Sequence, residues 1–262
     1  QIRTPHFLLS LLLISLVFMT SAQAEPKSSW NPAHSEKLQS VVDAAVQTTL
    51  KKFADKKLGT NELAVTLIDL RDAEKPVQAS YRGGEQIYPA SVIKLFYLVA
   101  THRWMEDGKL QDTEELRRAM KDMIVDSGNE PTHYIVDLLT DTTSGPEMSD
   151  AEIKVWHDKR NAVNRYFTSL GFTNINVNKK PWGDGPYGRE TQASKLFTPK
   201  RNWLTTDATA RLLAEIVTHN SISAKRSEEM MELLQRDPFS KKGSETDQSR
   251  GFTGKIAIPG MK

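Results

Sequence analysis

The run Leu95-Phe96-Tyr97-Leu98-Val99-Ala100 is apolar without interruption. A helix with no polar face has to be wrapped by other elements. This segment therefore requires a chain folded around a buried helix. Directly before it stands Tyr88-Pro89-Ala90-Ser91-Val92-Ile93-Lys94. In a helix, residues i and i+3 share a face, with Cβ atoms about 5–6 Å apart. Lys94 can therefore reach Ser91 and take its proton, which turns a weak hydroxyl into a nucleophile. The plainer reading makes Ser91 a helix cap and Lys94 a solvated residue. This is the only Ser-x-x-Lys in the chain.

The chain has 262 residues, 38% hydrophobic and 26% charged, enough for one large globular domain or a two-lobed one. Thirty-five basic and 33 acidic residues leave a net charge of +2, and aromatics amount to only 8%. Neither figure points to a nucleic-acid partner. Cysteine is absent, which excludes thiolate nucleophiles, thiolate zinc sites and iron–sulfur clusters. The six histidines are scattered, with no His-x-x-x-His or His-Glu-x-x-His. His102, His133 and His157 read as helix-face residues rather than ligands. No metal and no organic cofactor is required.

Residues 1–24 read as a secretory signal peptide. Arg3 precedes the apolar run Leu8 to Met19, and Ala22-Gln23-Ala24 has the form of a cleavage site. The run is short for about 30 Å of hydrocarbon, so targeting rather than membrane anchoring is expected. A cysteine-free secreted domain of this size suits the bacterial periplasm. Residues 25–262 then form the mature domain, expected to be incomplete at its C-terminus and monomeric.

Apolar spacing predicts a helix over about 36–56. Strands are expected over 63–70 and 77–81, the second ended by Gly83-Gly84. Helices are expected over about 91–106, 113–124, 129–140, 149–170, 205–219 and 223–236. Ser149 with Glu152 has the form of a capping box, and Thr206 reads as an N-cap. Residues 174–203 read as a long loop, and loops of that length usually carry function. Residues 252–258 begin a further strand.

The second chemical element is Met123-Ile124-Val125-Asp126-Ser127-Gly128-Asn129, between two predicted helices. A short turn there aims a hydroxyl and a carboxamide into one cleft. Ser127 can relay a proton to a leaving nitrogen. Asn129 can hydrogen-bond both a substrate amide and a lysine. The alternative is an ordinary helix–helix turn in which these residues act as caps.

With both elements in order, the chain resembles the class A β-lactamase and penicillin-binding-protein superfamily, whose signature is S-x-x-K, S-D-N and K-T-G. Pro89 to Leu95 matches the first motif, and Met123 to Thr132 is similar to the second, with Gly128 in place of Asp. Thr205 to Leu213 resembles the helix start after the family's active-site loop. The resemblance implies an α+β, serine β-lactamase/DD-peptidase-like fold: an antiparallel sheet packed with helices, plus an all-helical lobe. It implies acyl transfer by Ser91, Lys94 and Ser127, with Asn129 binding substrate and the Ser91 backbone N–H in the oxyanion hole. The substrate would be a small-molecule β-lactam or a peptidoglycan-like peptide.

Three departures stand out. Ser91 and Ser127 are 36 residues apart, fewer than is usual in class A enzymes. The family's deacylating Glu-x-x-x-Asn is not evident, and the matching region offers only Asp184 and Glu190. Lys255 follows Thr253-Gly254, the wrong order for the third motif, which is expected past Lys262. Three functions are therefore expected, in order: hydrolysis of β-lactam amides through an acyl-enzyme, a D-Ala-D-Ala peptidase or penicillin-binding protein without fast turnover, and a non-catalytic periplasmic binding protein. Trp182 and Tyr187 either line a substrate pocket or anchor the loop.

Overall fold

The computed structural model describes residues 30–236. The predicted leader over 1–24, the strand over 252–258 and Thr253-Gly254-Lys255 lie outside the described residues.

Among the described residues the sheet has three strands in the order β1-β3-β2. Strands β2 (Val65–Asp69) and β3 (Val77–Tyr81) pair antiparallel, from Val65 opposite Tyr81 to Asp69 opposite Val77. The short strand β1 (Ala33–His34) adds to β3 in parallel. The sheet is therefore mixed where an antiparallel one was expected, because two residues ahead of the first helix pair along β3. Helix α1 (Glu36–Lys52) starts at Ser35, whose hydroxyl accepts from the Leu38 N–H. It packs Val42 and Val46 on Ala79, with Leu38, Leu50, Leu63, Val65, Leu67 and Tyr81 around them.

The second core is helical. Helix α2 (Ile93–Glu106) is buried at every position from Ile93 to His102. Around it stand α3 (Glu114–Val125), α4 (Asn129–Thr140), α6 (Ala162–Ser169) and α9 (Ala224–Leu234). Phe96, Phe167 and Phe172 meet edge to face, with ring centroids 4.9–6.1 Å apart. The helix expected over 149–170 is two helices, α5 (Asp150–Arg160) and α6, divided at Asn161. The Asn161 side chain donates to the His157 carbonyl at 2.9 Å. A short amide side chain that bonds the preceding turn competes with helix continuation. The Ser149–Glu152 capping box is present at the start of α5.

Helix α8 (Thr206–Val217) is capped by Thr205, one residue before the expected Thr206. It packs on β2 and joins the sheet to the helical lobe. Thr66 Oγ1 donates to Asp207 Oδ1 at 2.6 Å. Gly83 lies against the same carboxylate, where a Cβ would collide with it. The expected long loop contains a helix, α7 (Gly188–Leu196), of which only Glu190 and Ala193 are buried.

Candidate active site

Ser91 lies in a single 3₁₀ turn, Ala90–Val92, that runs straight into α2. Two bonds fix the approach: Ile87 and Leu204 exchange N–H···O contacts of 2.8 and 3.0 Å. Ala90 then takes φ +45°, in the left-handed region. A non-glycine residue there costs on the order of 1–3 kcal/mol and persists only where its surroundings impose it. The consequence is that Ser91 enters the first turn of the helix rather than capping it. Its backbone N–H belongs to the turn that lacks i−4 carbonyl partners, at the positive end of the helix dipole.

Lys94 is 2% exposed. Its Nζ donates to Ser91 Oγ at 3.2 Å, to Ser127 Oγ at 3.1 Å and to Asn129 Oδ1 at 3.1 Å. The Ser127 carbonyl is a fourth contact. An ammonium has three protons, so four acceptors cannot all be served at once. Lys94 makes no ion pair among the described residues. Burial pushes its amine down to about 8, and the charge of Glu130 opposes this without cancelling it. A neutral amine beside a serine hydroxyl is a general base. The reading of Lys94 as a solvated helix residue is excluded by its burial.

Ser127 and Asn129 reach Lys94 because the chain reverses sharply between α3 and α4. Ser127 adopts φ +55°, and the Gly128 N–H bonds back to the Asp122 carbonyl at 3.0 Å. A Cβ on Gly128 would stand 2.7 Å from Pro131 Cγ and 3.3 Å from the Asp122 carbonyl oxygen. The glycine in place of the family's aspartate is thus matched to Pro131, which occupies the space a side chain would need.

The structure brings Ser91, Lys94, Ser127 and Asn129 into one hydrogen-bonded group. Glu190 and Asp184 make no hydrogen bond or ion pair to any of the four. Glu190 is 4% exposed. Its Oε1 accepts from Arg160 Nη2 at 2.8 Å and from Ser144 Oγ at 2.9 Å, and lies 3.6 Å from Lys180 Nζ. Lys180 also holds Asp137 at 2.7 Å. Asp184 is exposed on the loop before α7.

The loop segment Pro181-Trp182 packs on α4 at His133. His133 is four residues after Asn129 on α4 and shares its face. Its Nε2 lies 2.6 Å from the Pro181 carbonyl oxygen, and its ring is 4.2 Å from that of Trp182. Burial depresses the imidazole below its usual range. Tyr97 of α2 fixes the same segment by donating to the Lys179 carbonyl at 2.7 Å. Trp182 is therefore a loop anchor, while Tyr187 is 70% exposed. The sequence offered a signal for His133 in its i+4 spacing from Asn129; it offered none for Pro181.

The model of the β-lactamase enzyme family matches residues 45–245. The chain belongs to the β-lactamase enzyme family. No curated protein matches it. The family match spans β2 and β3, both halves of the Ser91–Asn129 group and α5 to α9, so the α+β fold and the serine hydrolase superfamily rest on most of the described chain.

Proposed function

We propose that the protein is an acyl-enzyme-forming serine hydrolase acting on β-lactam amide bonds. The supporting observation is the buried, ion-pair-free amine of Lys94 held between Ser91, Ser127 and Asn129. Ser91 Oγ attacks the lactam carbonyl carbon, and its proton passes to neutral Lys94. As the C–N bond breaks, a proton moves through Ser127 Oγ to the leaving nitrogen. The product is an ester on Ser91, with Asn129 holding the substrate amide. The Ser91 N–H, at the open end of the helix, stabilises the developing oxyanion. Water then hydrolyses the ester and restores the serine.

One observation favours a second reading, a penicillin-binding protein or D-Ala-D-Ala peptidase that releases a penicilloyl group slowly. Rapid hydrolysis of the ester needs a base for water. Glu190 is engaged by Arg160, Lys180 and Ser144 instead. The experiment is incubation with a fluorescent penicillin and, separately, a chromogenic cephalosporin. Turnover that disappears in Ser91→Ala supports the hydrolase. A stable adduct without turnover, also lost in Ser91→Ala, supports the slow-release reading. Neither adduct nor turnover in the parent refutes both.

A further inference from the structure

A cavity of about 710 Å³ opens between the C-terminal end of α4, one face of α5 and the first turn of α7. None of Ser91, Lys94, Ser127 and Asn129 lines it. On α5 its lining residues recur every three or four positions, from Ala151 through Val155 to Lys159, so one helix face makes a wall. Trp156 on that face and Leu138 and Met148 beside it complete the apolar lining. Val155 is 62% exposed, an apolar side chain that the described fold leaves uncovered. The Trp156 indole N–H is spent on the Thr143 carbonyl at 3.0 Å, so its ring offers only apolar surface. Apolar walls around about 300–1,000 Å³, with a few placed polar groups, are the usual form of a small-molecule site.

The charges of the lining decide what such a molecule must carry. Asp137 pairs with Lys180 at 2.7 Å and with Arg160 at 3.4 Å. Asp141 pairs with Lys159 at 2.5 Å. Glu152 spends its carboxylate on the Ser149 N–H and O–H, at 3.0 and 2.6 Å. Arg189 is the one lining cation without an ion pair among the described residues. It is half-buried and held in place by neutral groups. Its backbone N–H donates to the Gly145 carbonyl and its Nε to the Pro146 carbonyl, both at 3.0 Å. Its Nη1 and Nη2 make no hydrogen bond among the described residues. A guanidinium fixed through Nε keeps two parallel N–H groups, which match the two oxygens of a carboxylate.

We propose that this cavity binds a small organic monocarboxylate with an apolar body. Arg189 Nη1 and Nη2 take the carboxylate, and the body lies on Leu138, Met148, Val155 and Trp156. The site is independent of the Ser91 chemistry.

The test titrates the full chain with 2-naphthoate, the neutral 2-naphthylmethanol and the cation 2-naphthylmethylammonium. Calorimetry reads affinity, and amide ¹H–¹⁵N NMR shifts read location. 2-Naphthoate should saturate at one per chain and shift the amides of Ala151 to Lys159 and of Arg189. The alcohol should bind about tenfold more weakly, the size of one charge-assisted hydrogen bond, and the ammonium more weakly still. Arg189→Gln should bring 2-naphthoate to the affinity of the alcohol and leave the alcohol unchanged. Val155→Asp should weaken both, while Ser91→Ala should weaken neither. The probe series in the parent decides even where a variant does not fold. Absent or unsaturable binding of 2-naphthoate, equal affinity for the three probes, a preference for the ammonium, or shifts confined to residues around Ser91 overturns the site.

Discussion

At the scale of single residues, the account rests on Lys94. An amine lowered to about 8 by burial is mostly protonated at neutral pH and mostly neutral above that value. Acylation by Ser91 needs the neutral form, so its rate should rise with pH and level off above about 8, read by stopped-flow measurement of penicilloyl formation. Lys94→Met should slow acylation by about 10²–10⁴, the usual contribution of a general base, with the fold retained by circular dichroism. Ser91 and Lys94 were legible in the sequence because their chemistry depends on a local i,i+3 spacing. Whether Lys94 is buried was not legible, since Ser127 and Asn129 reach it only through the turn between α3 and α4. Glu190 shows the reverse. Its neighbours Arg160, Lys180 and Ser144 are distant in sequence, and nothing local distinguishes a buried ion partner from a loop carboxylate. Glu190→Gln removes one member of a buried ion cluster, a change that costs about 3–5 kcal/mol. Urea unfolding should report that loss, while the lifetime of the Ser91 adduct should stay within about twofold of the parent's.

At the scale of elements, α3 and α4 lie within a residue of where they were expected, and α2 lies where its uninterrupted apolar run put it. Helix α7 was hidden because it has no stripe: Gly188 to Leu196 buries only a glutamate and an alanine. The division of α5 from α6 was hidden because Asn161 ends a helix through one side-chain bond, which leaves the hydrophobic pattern intact. The turn at Gly128 carries a test. Gly128→Asp restores the family's second motif but places a Cβ 2.7 Å from Pro131 Cγ. Overpacking of this kind costs about 1–3 kcal/mol. The substitution should lower the urea midpoint, and Pro131→Ala in the same chain should recover most of the loss.

At the scale of the whole molecule, two of the three hydrophobic cores among the described residues meet through α8. The sheet and α1 share one cluster around Val42, Val46 and Ala79, and the helical lobe another around α2. The connection runs through Asp207, which takes a hydrogen bond from Thr66 at 2.6 Å and another from Gln78 at 3.3 Å. Asp207→Ala leaves these donors without their acceptor, at about 1–3 kcal/mol. It should lower Tm and, in hydrogen exchange, speed exchange in β2 and the first turn of α8 more than in α2. The α+β arrangement of a sheet with an all-helical lobe was what the resemblance to the serine β-lactamase superfamily implied. The way the lobes are joined was not legible, because Thr66, Gln78 and Asp207 carry no periodic signal.

The central claim is that Ser91 is a nucleophile activated by Lys94. Intact-protein mass spectrometry after incubation with benzylpenicillin, followed by peptide mapping, tests it most directly. The account predicts one covalent addition of the mass of the opened penicillin, located on Ser91, absent in Ser91→Ala and much slower to form in Lys94→Met. An unmodified parent protein, or an adduct that persists in Ser91→Ala, would contradict it.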